Sequence, residues 1–423
     1  MLGMGENFTG SQQITLRKVS VVLVGRLRSL MMLIPIVAML IAACSGSTRS
    51  TLVVRNGMLI DGSGGAPIEN GLLVIEDGII IAVGSAAEVE IPDGAREIDA
   101  GGGTILPGMI DAHTHVLGSL NIDDGAVGDI GRIQYLEKTV QAGVTTIRDV
   151  GSRYQTEDEI IEVRAALAAL GNNAPRVVLT GPLLLAPENW GLEFDAVEVG
   201  SEAEAQEVAA ELISAGVDQL KLFMDVGEPP TPTLTEEQVM AIMQVANQSG
   251  IWVTAHAIQD EAEIALRAGV DELAHWPSGV RVGGKHWDVP ESLLRSLAEQ
   301  NVPIVSTFNL TPPEEAEVRF FLDSGGKLAF GTDSPGTGPL SQPTREFRLM
   351  RTFGMTPMEC ILAATANSAT VIGMEEEVGR LQPGMQADVI VVDGNPLEDI
   401  MAMGGISVVI RGGEVVYEES ANE

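Results

Sequence analysis

Eight short apolar runs, separated for the most part by stretches with helical spacing, constrain this chain more than any other feature. The runs are GMIDAHTHV from Gly108 to Val116, GVTTIRDV, RVVLTGPLLL, DQLKLFMD, IWVTAHA, DELAHW, VPIVSTF and KLAFGTD. Amphipathic segments such as SEAEAQEVAAELISAG and TEEQVMAIMQVANQSG lie between them. Ser201 stands three residues before Glu204 and Thr235 three before Gln238, the spacing of helix-start capping boxes. Repeated strand–helix units of this length predict an α/β fold, a (β/α)8 barrel.

Four of the five histidines sit at or near the C-terminal ends of these runs: His113, His115, His256 and His275. Lys221 and Asp333 occupy the same kind of position. A parallel barrel gathers strand ends from distant parts of a sequence onto one face. Strand alternation then sets direction. Leu220, Leu222 and Met224 suit burial against outer helices, so Gln219, Lys221 and Phe223 point inward. A lysine there is costly unless its charge is paired or removed. The same alternation groups Asp111 with His113 and His115, Thr254 with His256, and Leu273 with His275. Each histidine alone reads as a hydrogen-bonded polar residue near a strand end. Four together read as ligands. Imidazole and carboxylate suit zinc and similar divalent ions, and two such ions sharing a hydroxide supply a strong nucleophile at neutral pH.

The flanking segments differ in character. Residues 51–99 read as β-hairpins with Asn-Gly and Asp-Gly turns, and ADVIVVDG and SVVIRGGEVVY close the chain as strands. Both termini are therefore expected to build one small β-sandwich, residues 44–106 and 380–423, around a barrel spanning 107–379. Before it, Arg17, Lys18, Arg26 and Arg28 precede an apolar stretch from Leu30 to Ala43. That stretch is shorter than the ~20 residues that span a bilayer and reads as an export signal. Ile41-Ala42-Ala43-Cys44 resembles a bacterial lipobox, which implies removal of residues 1–43 and lipidation of Cys44. The expected location is the bacterial cell envelope, with the membrane touched only through the lipid. Cys360, the second of two cysteines, reads as a buried apolar residue without a disulfide partner. The formal charge of −34 opposes nucleic acid and anionic membrane surfaces as partners.

His113-Thr114-His115 after Leu106-Pro107-Gly108, with Lys221, His256, His275 and Asp333 in order, resembles the amidohydrolase superfamily. The resemblance extends to the "NG…IDG…IAVG" strands and to LQPGMQADVIVVDGNPLEDI, and so covers nearly all of the mature chain. It implies two divalent ions, zinc being the expected metal, bridged by a Lys221 carboxylated by CO2. His113, His115 and Asp333 would hold the more buried ion, and His256 and His275 the more exposed one. Asp333 would also carry the catalytic proton from hydroxide to leaving amine. TTIRDVGS and the Lys-Leu-Phe strand look most like the imidazolonepropionase-related and prolidase-like branch, which implies a small-molecule amide, dipeptide or N-acyl amino acid as substrate.

Two features depart from that branch. The third run ends in Ala186-Pro187-Glu188-Asn189-Trp190 where a Gly-Gly-His is common, and the loop after the fourth lacks a tyrosine expected to hold a substrate carboxylate. Glu188 and Trp190 are pocket candidates beside an equal structural reading, and Arg281 and His286 are weaker ones. Arg148 and Asp149 read as a structural ion pair. A cyclic-amide hydrolase or mononuclear deaminase remains an alternative, although Gln259 replaces the glutamate common after the fifth-strand histidine in such enzymes and the bridging lysine is present. A non-catalytic envelope lipoprotein is the remote third reading, disfavoured by an intact ligand set.

Overall fold

The computed structural model describes residues 50–117, 126–127, 130–227, 229–278, 280–281, 285–286, 288–335 and 343–419. The expected signal segment and Cys44 lie outside the described residues. Among the described residues no helix is long and apolar enough to cross a membrane.

The eight runs are the eight strands of a parallel barrel. In order they are Met109–Thr114, Val144–Asp149, a third strand in two pieces (Arg176–Leu179 and Leu183–Leu185), Leu220–Phe223, Val253–His256, Glu272–Leu273, Ile304–Val305 and Leu328–Ala329. Parallel pairings run round the ring. It closes where Ala112 N donates to Phe330 O at 2.9 Å and Asp333 N to His113 O at 2.9 Å. The third strand breaks at Gly181, whose φ of 68° is a left-handed conformation; a Cβ there would meet Val217 Cγ1 at 2.9 Å, so glycine suits the kink.

Helices follow the strands as the capping signals foretell. Thr235 and Gln238 form a reciprocal box, with Gln238 N donating to Thr235 Oγ1 at 3.2 Å and Thr235 N to Gln238 Oε1 at 2.8 Å. At the helix Glu202–Ala215 half of the expected box forms. Ser201 Oγ accepts from Glu204 N at 3.3 Å, but the Glu204 carboxylate reaches one residue further back, to Gly200 N at 2.8 Å.

Alternation in the fourth strand follows the expected phase. Leu220, Leu222 and Met224 join the large core between strands and helices, whereas Gln219 turns into the barrel and bonds Arg148 at 2.8 Å. The barrel floor is a small apolar layer of Ile110, Ala112, Val178, Val305 and Ala329, plugged from below by Ala369 and Val371. Beside it lies a buried polar cluster. Arg148 is fully buried and holds Glu272 through two bonds of 2.5 and 3.0 Å, and it also donates to Ala112 O.

That pairing corrects two sequence expectations. Arg148 pairs with Glu272, while Asp149 accepts from Leu117 N at 2.7 Å; adjacent strand residues face opposite ways, so Arg148 and Asp149 part company. In the sixth strand Glu272 faces inward and Leu273 packs outward. The strand is two residues long, and the chain bends at Ala274 and His275. That bend, not alternation from Leu273, brings His275 to the site.

Strands from both chain ends form the second module: Thr51–Leu59, Ile68–Glu76, Ile79–Ser85, Arg96–Asp99 and Thr104–Pro107 join Val389–Val392, Ile406–Arg411 and Glu414–Glu418 in one eight-stranded sheet. The sheet encloses its own core of Leu52, Val54, Leu73, Ile75, Val389 and Ile410 among others. Ile80 N donates to Met385 O at 2.9 Å, which ties the Ile79–Ser85 strand to the segment leading into Val389. Asp77-Gly78 makes a hairpin turn as expected. The two Asn-Gly pairs do not: Asn56-Gly57 and Asn70-Gly71 lie within strands, the first at register shifts. Arg176 of the third barrel strand bonds Asp388 of the sheet at 2.8 Å, joining the two modules.

Candidate metal centre

The first strand delivers two imidazoles because it bulges. Ile110 and Ala112 face the barrel floor; register then shifts between Asp111 and Thr114 against the second strand. A bulge re-aims the side chains that follow it, and here His113 and His115 both turn to the site. Asp111 does not join them in the pocket. Its buried carboxylate accepts from His113 N at 3.1 Å, Thr332 N at 3.1 Å and Thr332 Oγ1 at 2.6 Å. It thereby fastens the first strand to the Gly331-Thr332-Asp333 loop. Gly331 permits this contact, since a Cβ there would lie 2.4 Å from Val305 Cγ1 and 2.8 Å from His113 Cβ.

Asp333 adopts a left-handed φ of 56°, which places Oδ1 3.3 Å from His113 Nε2 and 3.1 Å from His115 Nε2. Ligand atoms of these three residues lie within 4.8 Å of one another. The His113 ring is 4.4 Å from that of His275, which is 4.4 Å from that of His256. Lys221 lines the same cavity as His115, His256, His275 and Asp333. All six expected ligands are therefore brought to one end of the barrel.

Electrostatics suits a ligand set. Burial pushes His113, His256 and His275 below the usual imidazole range, with the Lys221 charge adding to the effect, so each presents a neutral ring with a free lone pair. Burial lowers Lys221 to about 7, helped by the charge of Arg148. Burial opposes ionisation of Asp333, but the His113 and His115 rings beside it outweigh that and hold the carboxyl well below its usual range.

Two further residues flank the rings. Thr307 Oγ1 lies 2.8 Å from His275 Nδ1, which leaves Nε2 to face the cluster. Asp225 Oδ2 lies 3.7 Å from His256 Nε2. Neither was singled out from the sequence. Asp225 continues the alternation Lys221, Phe223, Asp225, so the signal was present. Thr307 is β-branched yet holds a φ of 37°, and its sequence carries no such mark. Behind it, Glu346 Oε1 accepts from Phe308 N at 2.8 Å and holds that loop.

A cavity of 660 Å³ opens over the cluster, lined by His115, Lys221, His256, His275 and Asp333 and walled by Leu183, Trp190, Phe194, Phe223 and Leu310. Trp190 lines it as anticipated. Glu188 does not; it is exposed, with a φ of 63°. Asn189, between them, is buried and donates to Asp225 O at 3.0 Å and Pro232 O at 2.6 Å, binding the third loop to the fourth. Arg281 and His286 lie on a short antiparallel pair, Val280–Arg281 with Lys285–His286. Cys360 is buried away from this cavity and its thiol is pushed up to about 12, as befits a packing residue.

Residues 104–416 match the amidohydrolase family. The chain belongs to that family. It is 26% identical to imidazolonepropionase of Porphyromonas gingivalis over 401 residues, covering 82% of this chain and 90% of the relative. It is 28% identical to imidazolonepropionase of Symbiobacterium thermophilum over 419 residues, covering 87% and 97%. The crystal structure of a Xaa-Pro dipeptidase with bound methionine superposes with a TM-score of 0.73 at 25% identity, over 88% of this chain and 100% of that one. The protein is thus a metal-dependent hydrolase of C–N bonds in the imidazolonepropionase- and prolidase-like branch.

The buried donors fit divalent ions. His113 Nδ1 and Nε2 and Lys221 Nζ lack hydrogen-bond partners although they are buried, and orphaned buried polar atoms are costly unless a ligand satisfies them. Carboxylate and neutral imidazole are the donor types such ions take.

Proposed function

We propose that this amidohydrolase cleaves the amide bond of a dipeptide or N-acyl amino acid. The observation that carries this reading is the convergence of four imidazoles, Lys221 and Asp333 at the base of one cavity. His113, His115 and Asp333 would hold one divalent ion and His256 and His275 a second, with zinc the expected metal and Lys221 between them. Ions bound there supply a hydroxide at neutral pH and polarise the substrate carbonyl.

The chain's own groups do the rest. Lys221, lowered to about 7, has a substantial neutral fraction near that pH. A neutral amine adds to CO2 and loses one proton, giving a carbamate with two oxygen donors. Asp333 Oδ1, between the His113 and His115 rings, is an ionised carboxylate able to take a proton from water and return it to the leaving nitrogen. Leu183, Phe223 and Leu310 give the cavity an apolar lining beside the cluster. The imidazolonepropionase relatives favour a cyclic amide as the second reading. We further propose that Cys44 carries a lipid and that the mature protein is anchored in the bacterial envelope.

Hydrolysis of a dipeptide and N-acyl amino acid panel, with metal content measured on the same preparation, tests the assignment. The expected result is about two ions per chain, with His113→Asn losing bound metal and most of its turnover. Full turnover in His113→Asn would sink the assignment.

A further inference from the structure

The two halves of the cluster differ in the donors assigned to them. His113 and His115 share a carboxylate, Asp333, whose Oδ1 lies 3.3 and 3.1 Å from their Nε2 atoms. His256 and His275, with ring centroids 4.4 Å apart, have no carboxylate of their own in that scheme. Asp225 stands where one is needed. Its Oδ2 lies 3.7 Å from His256 Nε2, and it lines the cavity with His256, His275 and Lys221. A separation of 3.7 Å is too long for a hydrogen bond. It falls inside the ~4.2 Å that two zinc–ligand bonds of about 2.0–2.2 Å can span, so one ion can touch both atoms.

The fold itself holds this carboxylate in place. Met224 N donates to His256 O at 2.8 Å, which sets the ends of the fourth and fifth strands side by side. Asp225 Oδ1 accepts from Gly227 N at 2.8 Å, and Asn189 Nδ2 donates to Asp225 O at 3.0 Å. One carboxylate oxygen is thus tied to its own loop while the other is turned towards His256.

We propose that Asp225 is a ligand of the ion held by His256 and His275, so that each half of the centre has two imidazoles and one carboxylate. The inference rests on the two-ion hydrolase reading above and adds a ligand to it. Charge favours it. Among the groups that would touch the ions, Asp333, Asp225, a carboxylated Lys221 and one hydroxide together match the charge of two divalent cations. Without Asp225 one positive charge is left over, and an uncompensated buried charge is costly. Arg148 leaves this balance unchanged because Glu272 pairs with it at 2.5 Å.

Two measurements on the full-length, cobalt-loaded protein test this. The first is metal affinity, by competition with a chelator. Asp225→Asn keeps the shape and an oxygen for Gly227 N. It should hold one of two ions at least about tenfold more weakly, the low end of what losing even an outer partner costs, and the other as wild type does. The second is the spectrum of Asp225→Cys. A thiolate bound to cobalt adds a strong near-ultraviolet charge-transfer band, which a thiol merely near the ion does not. The band should appear, and should persist when His113→Asn is added. Unchanged affinity in Asp225→Asn, or absence of the sulfur band, overturns the inference and leaves the hydrolase reading intact; weaker binding without the band makes Asp225 an outer partner of His256. A wild type that holds one ion overturns the two-ion reading, and the same two readouts on that ion still decide for or against Asp225.

Discussion

Replacing Glu346 with glutamine should change how stability depends on pH. Glu346 stands in the first turn of the helix Thr344–Thr352, is 2% exposed, and has one oxygen, Oε2, without a partner. Burial raises its carboxyl from the usual 4.5 to about 7, against bonds from Phe308 N, Ser306 and Asn309 N. The native state therefore binds a proton that the unfolded chain has already released between these two values. A raised folded pKa contributes stability that is complete below the unfolded value and is lost as pH rises through the folded one. At ~1.4 kcal/mol per pKa unit, this contribution is about 3 kcal/mol, of which about 2 kcal/mol should disappear between about pH 5.5 and about pH 8.5. Glutamine keeps an oxygen for Phe308 N and does not titrate. Urea unfolding of metal-free protein and of Glu346→Gln across that range gives the assay, because other titrations largely cancel in the difference. Wild type should lose about 2 kcal/mol relative to the variant as pH rises. Parallel curves, within about 0.5 kcal/mol throughout, would refute the buried protonated carboxyl.

Arg148→Met leaves Glu272 buried without its cation and should lower stability by about 3–5 kcal/mol, read as a fall in the thermal midpoint; an unchanged midpoint would show that the pair is dispensable. Thr307→Val keeps shape but removes the oxygen facing His275 Nδ1. Loss of such an outer partner weakens metal binding by about 10–100-fold, which competition with a chelator measures directly, and unaltered retention would remove Thr307 from any ligand-orienting role.

Much of the site was legible because a strand has a fixed period. Lys221 inside and Leu220, Leu222 and Met224 outside follow from alternation alone, and Asp225 follows when the same phase is carried two residues further. Alternation failed where the chain stopped being a strand. At Asp111 a bulge separates the carboxylate from the two histidines that share its spacing. At Leu273 the strand is two residues long, so the phase inferred from His275 was inverted. The Asn-Gly pairs misled for a related reason: both residues favour left-handed backbone, which a bulge within a strand requires as much as a turn does.

Which side chains could bind metal, that eight strand–helix units would close a barrel, and that both chain ends would share a sheet were all legible in the residues. These are properties of local period and residue chemistry. Partners across the barrel came from the three-dimensional structure: Arg148 with Glu272 at 124 residues' separation, Thr307 behind His275, and Glu346 beneath the Thr307 loop. It alone also set Trp190 and Phe194 in the lining of the cavity. Such pairings depend on strand stagger and loop course, which a two-residue period does not encode, and they govern what the four histidines can reach.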